Sequence, residues 1–329
     1  MQAIVIHEPG DENVMQIGQV PDPVAGPEDV TIRVHASAVN RADLLQRCGF
    51  YPPPPGASEI LGLECAGVVE AVGVAVPAGR FARGERVMAL LAGGGYAERV
   101  VVHHGSVMRV PDALDLVAAG GFPEVYLTAY LSLFLLGGLQ SGGSALVHGG
   151  GSGVGTAAIQ LLLREARAQA YVTAGSDEKC RRCVELGAAA AINYRTEDFA
   201  GRIRELTGGR GVDVVLDAIG GSYFARNVAS LATGGRLVVI GLTGGASSEI
   251  DLATLMLKRL HVIGSTLRTR SVTEKAEIVA GFEQRFGAAV AAGRLGVTVD
   301  RVLPLAQAPE AHRAVAASEH FGKVVLQVG

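Results

Sequence analysis

The stretch HGGGSGVGTAAIQLL, His148 to Leu162, has the glycine density of a loop that cradles phosphate. Its glycines miss the G-x-G-x-x-G spacing: counted from Gly149 the third position falls on Val154, and from Gly150 the second falls on Ser152. The loop nevertheless lies between an apolar run, SALVH, and a helical stretch, the context that a phosphate loop needs. Gly150, Gly153 and Gly155 are expected to let the backbone turn sharply and approach a ligand. The N–H groups of Ser152, Gly153 and Val154 would then face a pyrophosphate, whose charge a helix N-terminus favours. The plain alternative is a tight strand-to-helix turn. The next apolar run bears on the choice, because NAD sites place an Asp or Glu about 20 residues past the glycines to bind the ribose 2′-hydroxyl. Here AYVTAGSDEK puts Gly175 and Ser176 at the strand end and Lys179 three residues on. A missing carboxylate and an added ammonium suit a 2′-phosphate, so NADPH is favoured over NADH. Ser176 also reads as a helix N-cap, and Asp177 would oppose the NADPH reading if it turned inward.

The elements that must hold these residues are legible as a change of rhythm along the 329 residues. From Met1 to about Gly121, short β-rich runs broken by Gly and Pro (MQAIVIH, DVTIRVHASAV, AGVVEAVG, ERVMALL, AERVVV) point to a mostly antiparallel, barrel-like domain. From Phe122 to Thr266, apolar runs alternate with helical stretches, as in a doubly wound parallel sheet covered on both faces. The tail, Leu267 to Gly329, has one long helical stretch and ends in GKVVLQV, which suggests a return to the first domain. The fold class is α/β, with a Rossmann-type domain inserted in a β-rich one.

Composition narrows the partners. Hydrophobic residues make up 49% and charged ones 19%, which excludes a disordered chain. A net charge of −3 gives no electrostatic reason to expect nucleic acid or an anionic membrane. Val125 to Leu139 is the longest apolar stretch and falls short of the roughly 20 residues of a bilayer span. Four cysteines are too few to staple a secreted scaffold, and the N-terminus does not read as a signal peptide, so a reduced, cytoplasmic protein is expected.

LGLECAGVVEAVG, GGGYAERV, SALVHGGGSGVGTAAIQL, LDAIGGSYF and FGKVVL, which follow one another in that order over essentially the whole chain, resemble the medium-chain dehydrogenase/reductase superfamily in its zinc-free quinone oxidoreductase branch. NRADLLQRCGFYPPPPGASEILGLE is especially similar to the stress-inducible, tumour-suppressor-regulated quinone oxidoreductases of animals and their bacterial relatives. The resemblance implies a GroES-like catalytic domain, a Rossmann domain and NADPH held in the cleft between them. It also implies Ser152, Gly153 and Val154 at the pyrophosphate, Ser176 and Lys179 at the 2′-phosphate, and Tyr194 at the adenine. Gly241, Leu242, Thr266 and Leu267 would lie beside the nicotinamide end, with Thr128 a further cofactor contact. A homodimer joined edge to edge through the strand around His261 to Ser265 would follow.

Zinc-dependent members of the superfamily would have a Cys at Asn40 and a His at Leu63; both ligands are gone, and PEVYLTAY supplies no Cys or His for a third. No metal is therefore expected, and Glu64 reads as a structural interior acid. Without a Lewis acid, alcohol oxidation is difficult, whereas a small aromatic quinone or an activated alkene takes hydride readily. Asn40 and Tyr51 are the polar groups expected nearest such an acceptor, as donors to a developing oxyanion. Asn40 could instead merely cap a helix, and Tyr51 pack on Pro52 to Pro55. Three further features read as structural: Cys180-Arg181-Arg182-Cys183 inside a helix, the neighbours His103 and His104 on opposite faces of a strand, and His148 as a packed histidine. The flanking arginines leave the oxidation sensitivity of the two cysteines open. The reading is an NADPH-dependent quinone reductase, with an enal or enone reductase as its enzymatic rival and a non-catalytic NADPH-binding or structural protein as the rival from another class.

Overall fold

A computed structural model describes residues 1–165 and 167–328. The chain forms two compact units, the first made of Met1–Leu127 with Leu267–Gly329 and the second of Thr128–Thr266.

The first unit opens with a hairpin, β1 (Gln2–Val5) against β2 (Gln16–Gln19). Then come β3 (Asp29–Ala38), α1 (Arg41–Arg47), β4 (Glu64–Val72), β5 (Arg86–Leu90), β6 (Arg99–His103), β7 (Val107–Arg109) and α2 (Leu116–Ala119). Along β3, Val30, Ile32, Val34 and Ala36 are buried while Arg33 is exposed, so the period of two places its apolar set on one core. α3 (Pro123–Tyr130) carries the chain out of this unit. Phe122–Leu127, read from the sequence with the central segment, belong to the first unit, because Phe122 stacks on Tyr126 and both meet Phe282 edge-on.

The apolar stretch continues from α3 into a wider π-type turn, Leu131–Leu136, whose first four residues are buried. Among the described residues no helix is long and apolar enough to cross a membrane. The second unit then alternates: β8 (Ser144–His148), α4 (Gly153–Gln160), β9 (Gln169–Ala174), α5 (Asp177–Leu186), β10 (Ala190–Asn193), α6 (Phe199–Leu206), β11 (Val212–Asp217), α7 (Phe224–Ser230), β12 (Leu231–Val239), α8 (Leu252–Lys258) and β13 (His261–Gly264). All six strands are parallel, in the order β10-β9-β8-β11-β12-β13. The order reverses direction between β8 and β11, and in such sheets ligands bind beyond the carboxyl ends of the strands at that point.

The tail forms α9 (Val272–Ala291), β14 (Val299–Pro304), α10 (Ala308–Ala316) and β15 (Lys323–Gln327). β15 pairs antiparallel with β3 and parallel with β14, completing a seven-stranded sheet of the first unit. That register sets Val325 opposite Ala38, which brings Lys323 to the end of β3 beside Asn40.

Candidate functional site

In the second unit the glycine loop follows β8 at the reversal point. Gly149 has φ of +74°, so the sharp turn is here and not at Gly150, where a Cβ would lie 2.7 Å from Val172 and 3.0 Å from the Cys183 sulfur. Gly155 is required for a different reason: a Cβ there would lie 2.2 Å from the Gly149 carbonyl oxygen and 2.6 Å from that of Gly150. The first turn of α4 packs onto the loop at a distance that only glycine permits. Ser152 is the N-cap; its Oγ accepts the Gly155 N–H at 3.0 Å and its own N–H goes to the Gly149 carbonyl at 2.9 Å. Ser152 N–H therefore closes the loop and does not face a ligand. The N–H groups of Gly153 and Val154 take no partner among the described residues, leaving two donors at a helix N-terminus for an anion.

The other residues read as cofactor contacts fall largely on the same edge of this sheet. Gly175 and Ser176 follow β9, Tyr194 follows β10, Gly241 and Leu242 follow β12, and Thr266 follows β13. Ser176 Oγ accepts the Lys179 N–H at 3.3 Å as N-cap of α5. Asp177 does not turn inward unengaged: its Oδ1 accepts from the Asn193 amide at 2.7 Å. A Cβ on residue 175 would lie 2.6 Å from the Tyr194 hydroxyl, so Gly175 makes room for that ring. Leu242 is exposed, and Gly241 lies close against Ala218. Thr128 is half-buried on α3, and Leu267 is a buried residue of the first unit.

In the first unit four elements converge on one carboxylate. Glu64, at the start of β4 and 0% exposed, accepts from the Asn40 amide at 2.9 Å, from the Glu124 backbone N–H at 2.9 Å and from Lys323 Nζ at 2.7 Å. Lys323 is 3% exposed and also donates to Asn40 Oδ1 at 2.7 Å and to the Val39 carbonyl at 3.0 Å. The Asn40 amide gives its second hydrogen to the Ala38 carbonyl at 3.2 Å. Both hydrogens are thus held inside the unit, so the geometry makes Asn40 an anchor and not an oxyanion donor. Its backbone N–H is received by Asp43 Oδ2 at 2.8 Å, so Asn40 begins α1, the other role its sequence position allowed. Burial pushes Asp43 up to about 6; Tyr96 donates to it at 3.2 Å and meets His312 Nε2 at the same distance. Glu124 carries an Oε2 with no hydrogen-bond partner among the described residues, and burial, with Glu64 nearby, pushes its carboxyl up to about 8.

Tyr51 is half-buried, and its ring lies under the Arg268 guanidinium, 5.3 Å from centroid to Cζ. Burial raises the phenol above its ordinary value, and Arg268 pulls against that rise. Its hydroxyl makes no hydrogen bond among the described residues.

Two family models match this chain, a zinc-binding dehydrogenase model over residues 153–280 and an alcohol dehydrogenase GroES-like domain model over residues 26–112. A human protein described as quinone oxidoreductase is 30% identical over 329 residues, covering 99% of this chain and 97% of its own. The chain belongs to the medium-chain dehydrogenase/reductase family. Among solved structures, Escherichia coli quinone oxidoreductase complexed with NADPH is 27% identical with a TM-score of 0.86, and each chain is covered completely. An NAD-dependent alcohol dehydrogenase is 33% identical, again with a TM-score of 0.86 and complete coverage of both chains.

The Asn40 side-chain oxygen and one Glu64 oxygen are both taken by the Lys323 ammonium group. Lys323 supplies the positive charge that neutralises Glu64, so this donor set does not fit zinc. Sequence reading singled out Asn40 and Glu64 but missed Lys323, Glu124 and Arg268. The motifs FGKVVL and PEVYLTAY contained Lys323 and Glu124 without showing their role, and the bond from Lys323 to Asn40 spans 283 positions.

Two readings of the set-aside residues change. His103 and His104 do not point to opposite faces: β6 ends at His103, the chain enters a 3-10 turn, and the two rings lie 4.4 Å apart. In the Cys-x-x-Cys segment Arg182 pulls the Cys183 thiol down, but burial outweighs it. Burial raises Cys180 and pushes Cys183 up to about 12. His148 is packed as expected, between the Thr173 hydroxyl at 3.0 Å and Asn227 Oδ1 at 2.6 Å, and burial lowers it to about 4.

Proposed function

We propose that this chain is a zinc-independent, NADPH-dependent quinone reductase. The observation that carries the reading is the Asn40 side chain, held by the Lys323 ammonium and the Glu64 carboxylate, with the apolar Leu63 beside it, where the resemblance would set two zinc ligands. With no metal to acidify an alcohol, the chemistry that remains is hydride delivery to an acceptor already activated by conjugation. The cofactor when bound supplies the hydride, a proton and two electrons, and one further proton from solvent completes the hydroquinone.

The chain's own part is to bind and orient. Gly153 and Val154 N–H groups would hold the pyrophosphate and Ser176 with Lys179 the 2′-phosphate, while Asp177 is kept by Asn193 from competing there. That arrangement supports NADPH over NADH. Tyr51, whose raised pKa keeps it protonated, would donate a hydrogen bond to the acceptor oxygen as charge develops on it. The acceptor would be a small aromatic quinone, and the active form a homodimer in a reducing compartment, in keeping with four unpaired cysteines.

The test is the initial rate of NADPH oxidation with a soluble ortho-quinone, run beside NADH and beside a 2-enal. The reading requires quinone turnover that survives chelators, with NADPH preferred by at least roughly tenfold, as the loss of one charge-assisted contact would cost. Turnover of the 2-enal alone would make it an activated-alkene reductase. NADPH binding without turnover of either would make it a binding protein.

A further inference from the structure

The loop that carries Tyr51 has backbone bonds only near its ends, from the Phe50 N–H to the Leu45 carbonyl at 2.8 Å and from the Ala57 N–H to the Pro54 carbonyl at 3.0 Å. It runs from Gly49 to Gly56, each with positive φ, and Pro52 to Pro55 in its middle offer no N–H to any ladder. Phe50 beside Tyr51 is 79% exposed. At Tyr51 itself the hold comes from one side chain. Arg268 is 2% exposed and directs its guanidinium at neutral acceptors: Nε to the Ala92 carbonyl at 2.8 Å, Nη1 to the Tyr51 carbonyl at 3.1 Å and Nη2 to Gln46 Oε1 at 2.6 Å. Gln46 in turn donates to the Glu59 carbonyl at 2.8 Å, which ties the far end of the loop to α1. Lys275 on α9 fixes the arginine's backbone through its carbonyl at 2.7 Å.

We infer that Arg268 is the positioning residue for Tyr51, clamping its backbone and covering its ring so that the hydroxyl is presented in one orientation to the acceptor. This rests on the proposed role of Tyr51. A planar fork with three bonded nitrogens is the reason the residue is arginine: lysine could restore charge over the ring but not the three directed bonds. Burying a cation is costly, and Asp43 and Glu124 pull only part of the way against that cost, so the guanidinium is kept where its three directed bonds fix the loop.

The experiment is a double-mutant cycle on quinone turnover with Tyr51→Phe, Arg268→Gln and their combination, together with chymotrypsin cleavage after Phe50. Tyr51→Phe is expected to lower kcat by roughly tenfold to a hundredfold, the worth of one hydrogen bond to a charged oxygen. Arg268→Gln should lower it comparably with NADPH affinity unchanged, and the double variant should be no worse than Tyr51→Phe. The loop of Arg268→Gln should be cut faster than wild type while the melting temperature holds. Arg268→Lys, the variant least prone to misfold, should recover little of kcat. Effects that multiply in the double variant, or a loop cut no faster in either arginine variant, would overturn the inference and leave the quinone reading standing. A wild type that turns over quinone, with Tyr51→Phe as fast, would remove the role of Tyr51 and this inference with it. A wild type inactive on every acceptor would remove the functional reading itself.

Discussion

Glu64 illustrates what a single residue discloses. An acid set between Leu63 and Cys65 in an apolar run reads as interior, and it is; what it pairs with could not be read, because Lys323 and Glu124 reach it through β15 and α3. Tertiary partners of buried charges leave no local trace in the chain. The pair makes a definite prediction. Lys323→Met leaves Glu64 buried without its cation and should cost about 3–5 kcal/mol in urea unfolding, with Glu64→Gln added to it recovering much of the loss. A loss below about 1 kcal/mol would mean that the carboxylate finds another partner or solvent. Glu124 gives a second prediction, in pH. Its carboxyl, raised to about 8 in the folded chain from an ordinary 4.5, keeps a proton that the unfolded chain releases. Between those values the native state binds more protons, so stability falls as pH rises through the window and levels off above it. Glu124→Gln removes that slope: its melting temperature should gain on the wild type from pH 5 to pH 8. An offset that does not change with pH would show that Glu124 is ionised throughout.

At the level of elements, the sequence disclosed what depends on pattern. The six parallel strands read as apolar runs because helices cover both faces, and the glycine loop read as a phosphate site because it joins β8 to α4. What escaped was short or atypical: β2 with four residues, β7 with three, β14 with its exposed and half-buried positions, and α8, whose LATLMLK puts apolar side chains in solvent where an amphipathic pattern would hide them. The roles of the glycines were also partly misread, since spacing alone cannot tell a turn glycine from a packing glycine. Their distinction is testable. Gly155→Ala forces a methyl group into the Gly149 carbonyl, so the first turn of α4 must lift from the loop and carry the Gly153 and Val154 N–H groups with it. NADPH affinity, followed by nicotinamide fluorescence, should fall by more than roughly tenfold, since geometric misplacement of this order is costly at a preorganised site. Equal affinity would mean that the helix N-terminus is not where the phosphates bind.

For the whole molecule, the unfinished feature is the β13 edge of the parallel sheet. Among the described residues β13 pairs only with β12 and takes no strand on its other side, and its sequence HVIG carries neither the lysine nor the proline that usually blunts a free edge. Beside it, Leu252, Met256 and Leu257 of α8 are 71%, 71% and 75% exposed, and Val262 of β13 is 44% exposed. An open edge flanked by bare apolar side chains invites a second copy of itself. A two-fold axis would set the two β13 strands antiparallel and merge two six-stranded sheets into one of twelve, each copy burying the other's α8 side chains. The exposed face of α8, which looked like a departure from helical patterning, then becomes the ordinary burial of apolar surface between chains. The expected outcome is a dimer by sedimentation equilibrium at micromolar concentration. Met256→Glu with Val262→Glu should convert it to a monomer of unchanged circular dichroism, because each places a like charge in an interface that has no partner for it. A wild type that sediments as a monomer, or a double variant that stays dimeric, would move the association to another surface and leave the edge to be explained as a free one.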